Sequence, residues 1–417
     1  MSAQEASSSR KAAAPSVKAR SLKALGAASL AAMLAACATQ GGPGGPSPLG
    51  RPSSGGAPPS TSVTTRDGVT PPFMAGQQIT RVGILLPFST RPQEAAALYN
   101  AAELALFDHG DPSMLLIPRD AGADATAAQA AAQALLTDGA DIIIGPVTRE
   151  GVEGATRAAS RQSVPVIGFS SDRAVAGNGA YLLSFQLEDE IDRIVSYAAS
   201  RNIRTIAFLG PSNEYGRRVE AALRSEAARR GVTVTRSEFY TRSDSEAAAA
   251  AARLASGPAP QGILIAESGA VLRAASVALV RAGVSTRQTK LLGTSAWDSP
   301  DTEREPTLGG GWFVASDPGL RQNFEQRYRQ AFNRDATRLS SLGYDAVALS
   351  ALLARDGGAN GFTRAGIQRS DGFLGSDGIF RFRADGSIER GLAVMEVRAN
   401  GSTAADPAPR RFTAPAG

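Results

Sequence analysis

From Thr80 onward the chain alternates short, unbroken apolar runs with alanine-rich stretches, a pattern that admits few folds. The runs occupy residues 82–86, 114–117, 142–144 and 164–169, then 205–209, 232–235, 262–266 and 290–293. A strand with one wet face alternates apolar and polar residues, so a run without that alternation predicts a strand covered on both faces. Residues 94–108, 125–137, 215–230 and 270–282 lie between runs and have the length and composition of helices. Strands and helices in regular succession specify parallel sheets flanked by helices. Eight such strands over about 320 residues are more than one core usually supports, so two α/β lobes are expected.

The end of this region has a different rhythm. Gly378-Ile379-Phe380-Arg381-Phe382-Arg383 alternates apolar and basic residues, Ala384-Asp385-Gly386 supplies a turn, and 391–398 reads as the returning strand of an antiparallel hairpin. The Pro/Ala-rich segment 401–417 is expected to be disordered.

Upstream, Arg10, Lys11, Lys18, Arg20 and Lys23 precede an apolar run of 13 residues, 24–36, and then Cys37, the chain's only cysteine. One cysteine excludes an internal disulfide and a multi-thiolate metal site. The run is shorter than the roughly 20 residues a membrane-spanning helix needs, so 1–36 reads as a secretory signal. Residues 37–78, rich in Gly, Pro and Ser, have almost nothing to bury and read as a flexible tether. The net charge of +5 resides mostly in the signal, where five basic residues face Glu5 alone. About +1 is left for the rest, and a nucleic-acid role loses its main support.

Leu34-Ala35-Ala36-Cys37 resembles the lipobox of bacterial lipoproteins, which implies cleavage before Cys37, lipidation of its thiol and residence on the periplasmic face of a membrane. Ala38 stands where inner-membrane retention would place an aspartate, which favours the outer membrane.

Across 80–401 the chain resembles the type I periplasmic binding proteins, above all the leucine-binding branch that serves branched-chain amino acid ABC transporters. The resemblance is carried by the order of VGILLPF, LIPRDAGADATAAQAAAQALLTDGADIIIGP, VPVIGFSS, SNEYGRR, GVSTRQTKLLGTS, SLGYDAVALSALL and DGIFRFRADGSIERGLAVMEV. It implies a two-lobed fold, with lobe 1 at about 79–187 and 316–374 and lobe 2 at about 188–315 and 375–400. It also implies a small polar ligand, amino-acid-like, held between the lobes, no cofactor, and an ABC permease as partner.

Ligand contacts are expected from loops at the carboxyl ends of strands, where helix N-termini converge. In lobe 1 these are Thr148 and Arg149 in one loop and Phe169, Ser170 and Ser171 in another. The hydroxyls can hold a carboxylate, as they do in the family, or simply cap the helices that follow. In lobe 2 the candidates are Tyr215, Glu267, Ser268 and Ser295. Relatives that bind leucine-like ligands usually carry an acid where Ser295 stands, and Glu267 is the nearest substitute.

IIIGPVTREGVEGA is also similar to a loop of the penicillin-binding protein activators, outer-membrane lipoproteins with this fold. That resemblance implies a bifunctional peptidoglycan synthase as partner, although the large helical domain of the best-known members is replaced here by the tether.

Catalysis is not expected. His109 is the only histidine, no G-x-S-x-G elbow occurs, and Leu308-Gly309-Gly310-Gly311 lacks the lysine and hydroxyl of a phosphate loop. Trp297, two residues after Ser295, can stack on a ligand or pack inside its lobe.

Overall fold

The computed structural model describes residues 78–412, except 110, 111, 242, 358–360 and 400, together with Pro71 and Met74. The segment expected to be a signal, Cys37 and nearly all of the expected tether lie outside the described residues.

Lobe 1 opens with β1 (Thr80–Leu86), α1 (Pro92–His109), β2 (Met114–Asp120), α2 (Ala125–Thr137), β3 (Ile142–Ile144), α3 (Arg149–Ala159), β4 (Val166–Gly168) and β5 (Ala180–Leu182). Its strands form a parallel sheet in the order β2-β1-β3-β4-β5. The unbroken apolar run in β1 has the predicted cause. Val82, Ile84 and Leu86 enter a core on one face, while Leu85 enters a second core with Leu135 of α2 and Ala155 of α3 on the other.

Lobe 2 contains α4 (Leu187–Ser200), β6 (Thr205–Pro211), α5 (Glu214–Arg229), β7 (Thr233–Tyr240), α6 (Asp244–Ala255), β8 (Gly262–Ile265), α7 (Gly269–Arg281), β9 (Lys290–Gly293), α8 (Pro300–Glu303) and β10 (Trp312–Ala315). Strand β6 likewise divides its side chains. Ile206 and Phe208 pack with α4 and α5, whereas Ala207 and Leu209 pack with α6 and α7.

The chain then returns to lobe 1 with α9 (Pro318–Phe332), α10 (Ser340–Gly357), α11 (Arg364–Ile367), β11 (Phe373–Gly375), β12 (Gly378–Phe382) and β13 (Ile388–Arg390). Gly343 explains the seating of α10 on α1, since a Cβ there would lie 2.2 Å from the Leu98 carbonyl oxygen. Only a residue without a side chain allows the two backbones so close.

Strands β11, β12 and β13 form a small antiparallel sheet. Finally β14 (Ala393–Arg398) and β15 (Gly401–Asp406) cross back and complete the lobe 2 sheet, in the order β15-β14-β10-β9-β8-β6-β7. All the pairings from β10 to β7 are parallel, and β14 and β15 add antiparallel at the edge.

The two-lobed α/β architecture is the one the sequence led us to expect, with three corrections at its C-terminal end. The hairpin around Ala384-Asp385-Gly386 returns as Ile388–Arg390, and 391–398 pairs instead with β10 and β15. The lobe boundary at 375 also moves. Phe373, Phe380, Phe382 and Ile388 share the lobe 1 core with Tyr181 and Tyr344, so the chain crosses to lobe 2 only after Arg390. Third, the segment expected to be disordered contains β15, whose backbone completes its ladder along β14 even though its side chains bury little.

Candidate functional site

The chain passes between lobes three times, after β5, after β10 and after β13. Beside the first passage, a crevice of about 500 Å³ opens between the lobes at the carboxyl ends of β6, β8 and β9. Lobe 2 contributes Tyr215 from the first turn of α5, Glu267 and Ser268 after β8, and Ser295 after β9. Lobe 1 contributes Ser171, which follows β4, and Arg338, which precedes α10, while Phe185 lies on the passage itself.

Each lobe 2 side chain is held by its own local structure. Asn213 caps α5 by accepting from Gly216 N, which sets the first turn that presents Tyr215. The Tyr215 hydroxyl is 3.0 Å from Thr294 Oγ1 and exposes just over a third of its residue to the crevice. Enclosure by the crevice walls raises its pKa. Glu267 is 3% exposed, and its two oxygens accept from Ser268 N at 3.1 Å and from the Tyr240 hydroxyl at 3.4 Å.

The most heavily bonded group is Glu190, on the first turn of α4 and only 7% exposed. Its Oε1 accepts from Ser295 Oγ at 2.6 Å and from Arg338 Nη2 at 3.0 Å, and its Oε2 accepts from Ser295 N at 3.0 Å. The Arg338 guanidinium also lies over the Phe185 ring, 4.5 Å from its centroid. This ion pair joins the lobes, because Arg338 belongs to lobe 1 and α4 to lobe 2.

The two acids preceding Glu190 follow the same plan. Glu188 accepts from Arg218 Nη2 at 3.1 Å, and that nitrogen makes a longer contact of 3.5 Å to the Ser171 carbonyl across the crevice. Asp189 accepts from Arg173 at 3.0 Å and Arg383 at 3.2 Å, both on the lobe 1 side. Burial raises the Asp189 carboxyl to about 6 despite these arginines. Three acids in the first turn of α4 also sit at the helix end where negative charge is favoured.

Of the residues singled out from sequence, Ser171, Tyr215, Glu267, Ser268 and Ser295 are brought together in this crevice. Four others are not among its lining. Thr148 caps α3 by accepting from Gly151 N, and Arg149 pairs on the surface with Glu153 and Asp172, each at 3.0 Å. Phe169 is buried in the lobe 1 core, and the buried Ser170 accepts from Asp172 N. Trp297 takes its packing role, fully buried in lobe 2 with Nε1 donating to the Ile265 carbonyl. His109 lies at the end of α1 beside Tyr344, and burial lowers its pKa. Among the described residues no group of three or more His, Cys, Asp or Glu is placed to hold a metal ion.

A profile of the periplasmic binding protein family matches residues 80–402, both lobes in full apart from the end of the last strand. The chain belongs to the periplasmic binding protein family. Membership places it outside the cytoplasm, and among the described residues no helix is long and apolar enough to cross a membrane. No curated protein matches the sequence.

Solved proteins of ABC transporters share the fold at low identity. One from Rhodospirillum rubrum, assigned to branched-chain amino acid ABC transport, is 18% identical with a TM-score of 0.69, over 78% of this chain and 99% of that one. A branched-chain amino acid ABC transporter periplasmic ligand-binding protein from Burkholderia xenovorans is 16% identical with a TM-score of 0.62, over 79% and 96%. A solute-binding protein from R. palustris, in complex with benzoate, is 18% identical with a TM-score of 0.55, over 81% and 98%.

Glu190, Arg338 and Arg218 were not read from the sequence as site residues. The acid sought at position 295 is supplied beside Ser295 by a helix 105 residues upstream. The triplet Glu188-Asp189-Glu190 at a helix start was the only local signal.

Proposed function

We propose that this chain is a non-catalytic solute receptor that closes the crevice between its lobes on a small polar molecule. The observation that carries the reading is the meeting of Ser171 and Arg338 of lobe 1 with Tyr215, Ser268 and Ser295 of lobe 2 around one cavity of about 500 Å³. That volume lies within the range of small-molecule sites. A solute touching both walls stabilises the closed arrangement by the difference between its affinities for the closed and open forms. Ser171, Tyr215, Glu267, Ser268 and Ser295 are the proposed contacts.

Transport through an ABC permease is the proposed destination, supported by the transporter origin of the solved proteins that share this fold. A contact with a peptidoglycan synthase has no comparable support. Cys37 is the proposed lipid attachment, with 38–78 spanning the gap from the membrane to the folded body. The test is a thermal-shift and calorimetric screen of the purified protein against amino acids and small carboxylic acids. A solute bound with micromolar dissociation constant raises the melting temperature at millimolar concentration. A panel that leaves it unmoved throughout rejects the receptor reading.

A further inference from the structure

We infer that the crevice takes carboxylates that carry no ammonium group, because Arg338 already fills the place beside Glu190 that an ammonium would need. The inference rests on the receptor reading above and narrows the solute class of the same crevice.

An ammonium enclosed by protein needs a carboxylate partner, since an unpaired buried charge is strongly unfavourable. Two carboxylates line this crevice, and both are engaged. Glu267 is held by Ser268 N and the Tyr240 hydroxyl and is 3% exposed. Glu190 accepts three hydrogen bonds from Ser295 and Arg338 and is 7% exposed. The guanidinium of Arg338 therefore stands where a solute's ammonium would have to stand, fixed also by its position over Phe185. An incoming amine must expel it or lie unpaired beside it.

The donors show the opposite balance. Arg338 and Arg218 keep 45% and 36% of their side chains accessible. Among the described residues Arg338 Nε, and Arg218 Nε and Nη1, have no acceptor. A guanidinium has five N–H donors, so each arginine can keep its present carboxylate and still bind another. Phe185, Leu187, Pro211 and Tyr215 supply an apolar wall for the remainder of such a solute. The fit is to a small monocarboxylate with an aromatic or branched aliphatic body.

Matched pairs test this in calorimetric titrations of the full-length protein. The probes are 4-methylpentanoate against leucine, benzoate against phenylglycine, and 3-methylbutylamine as the amine alone. The expected result is that each acid binds at least about tenfold more tightly than the amino acid of the same skeleton, with no binding of the amine. Equal or tighter binding of the amino acids overturns the inference and leaves the receptor reading standing. If no probe binds and the broader screen is also silent, both fall.

Two variants address the cause. Arg338→Met uncovers Glu190 and should narrow the acid-to-amino-acid affinity ratio at least about tenfold, by weakening the acid and strengthening the amino acid. Glu190→Gln keeps an acceptor for Ser295 while removing the charge that neutralises Arg338, and should tighten acid binding several-fold. An unchanged ratio in Arg338→Met, or weaker acid binding by a folded Glu190→Gln protein, contradicts the assignment.

Discussion

Arg390 Nε donates to the Ser184 carbonyl across 2.9 Å and so ties the third passage between the lobes to the first. The guanidinium is 4.7 Å from the centroid of Phe185, the ring that Arg338 covers from the crevice. Asp345 and Asp377 provide opposite charge nearby. A chain of contacts thus runs from the crevice, through one ring, into a buried cluster at the hinge.

Replacing Arg390 by Met keeps most of the side-chain volume and removes the charge. Asp345, 1% exposed, then loses the positive charge that opposes its burial, while Asp377 keeps Arg321 at 3.2 Å. Chemical denaturation is expected to show a loss of about 3 kcal/mol. A loss below about 1 kcal/mol shows that Arg390 does not hold the cluster together.

Burial, reinforced by the charge of Asp377, raises the Asp345 carboxyl to about 6, against the pull of Arg390. The unfolded chain releases the same proton near the ordinary value of 3.8. Between these values the folded state binds more protons, so stability increases as pH falls through 6 and the gain levels off below about 4. Asp189, also raised to about 6 by burial, acts with the same sign. In Asp345→Asn the difference in unfolding free energy between about pH 7.5 and about pH 5.5 should shrink by on the order of 1 kcal/mol. An unchanged difference excludes Asp345 as its source.

Asp189→Asn weakens its bonds to Arg173 and Arg383 while leaving the fold of each lobe alone. Small-angle scattering of the unliganded variant should show a larger radius of gyration than the parent. The same dimensions in both proteins mean that these pairs do not hold the lobes in their present arrangement.

Gly343→Ala puts a methyl group 2.2 Å from the Leu98 carbonyl oxygen, where only a backbone shift makes room. The expected loss is about 2 kcal/mol or more, seen as a lowered melting temperature. A variant that melts with the parent contradicts the close seating of α10 on α1.

Cys37→Ser abolishes the proposed attachment point. Membrane fractionation of cells expressing it should find the protein in the soluble extracytoplasmic fraction, and retention in the membrane pellet argues against lipidation.

Strands buried on both faces were the most legible part of the sequence, because burial leaves an unbroken apolar run that nothing else nearby imitates. Ala180–Leu182 escaped because a three-residue edge strand after the glycine-rich turn Gly177-Asn178-Gly179 has too little pattern. β15 escaped because its sequence, Gly-Ser-Thr-Ala-Ala-Asp, buries little and depends on backbone pairing to β14.

The site divides along similar lines. Tyr215, Glu267, Ser268 and Ser295 follow parallel strands directly, so topology delivers them to the crevice. Thr148 and Ser170 follow strands as well, yet their hydroxyls serve nearby backbone N–H groups. Arg338 and Glu190 are 148 residues apart, and no local pattern announces a bond made only when the two lobes face each other.

The first strand of the folded body belongs to one lobe and the last to the other. Fluorescent dyes attached just before Thr80 and just after Asp406 would therefore sit on the two moving halves, and their energy transfer would register each closing event without any label inside the crevice.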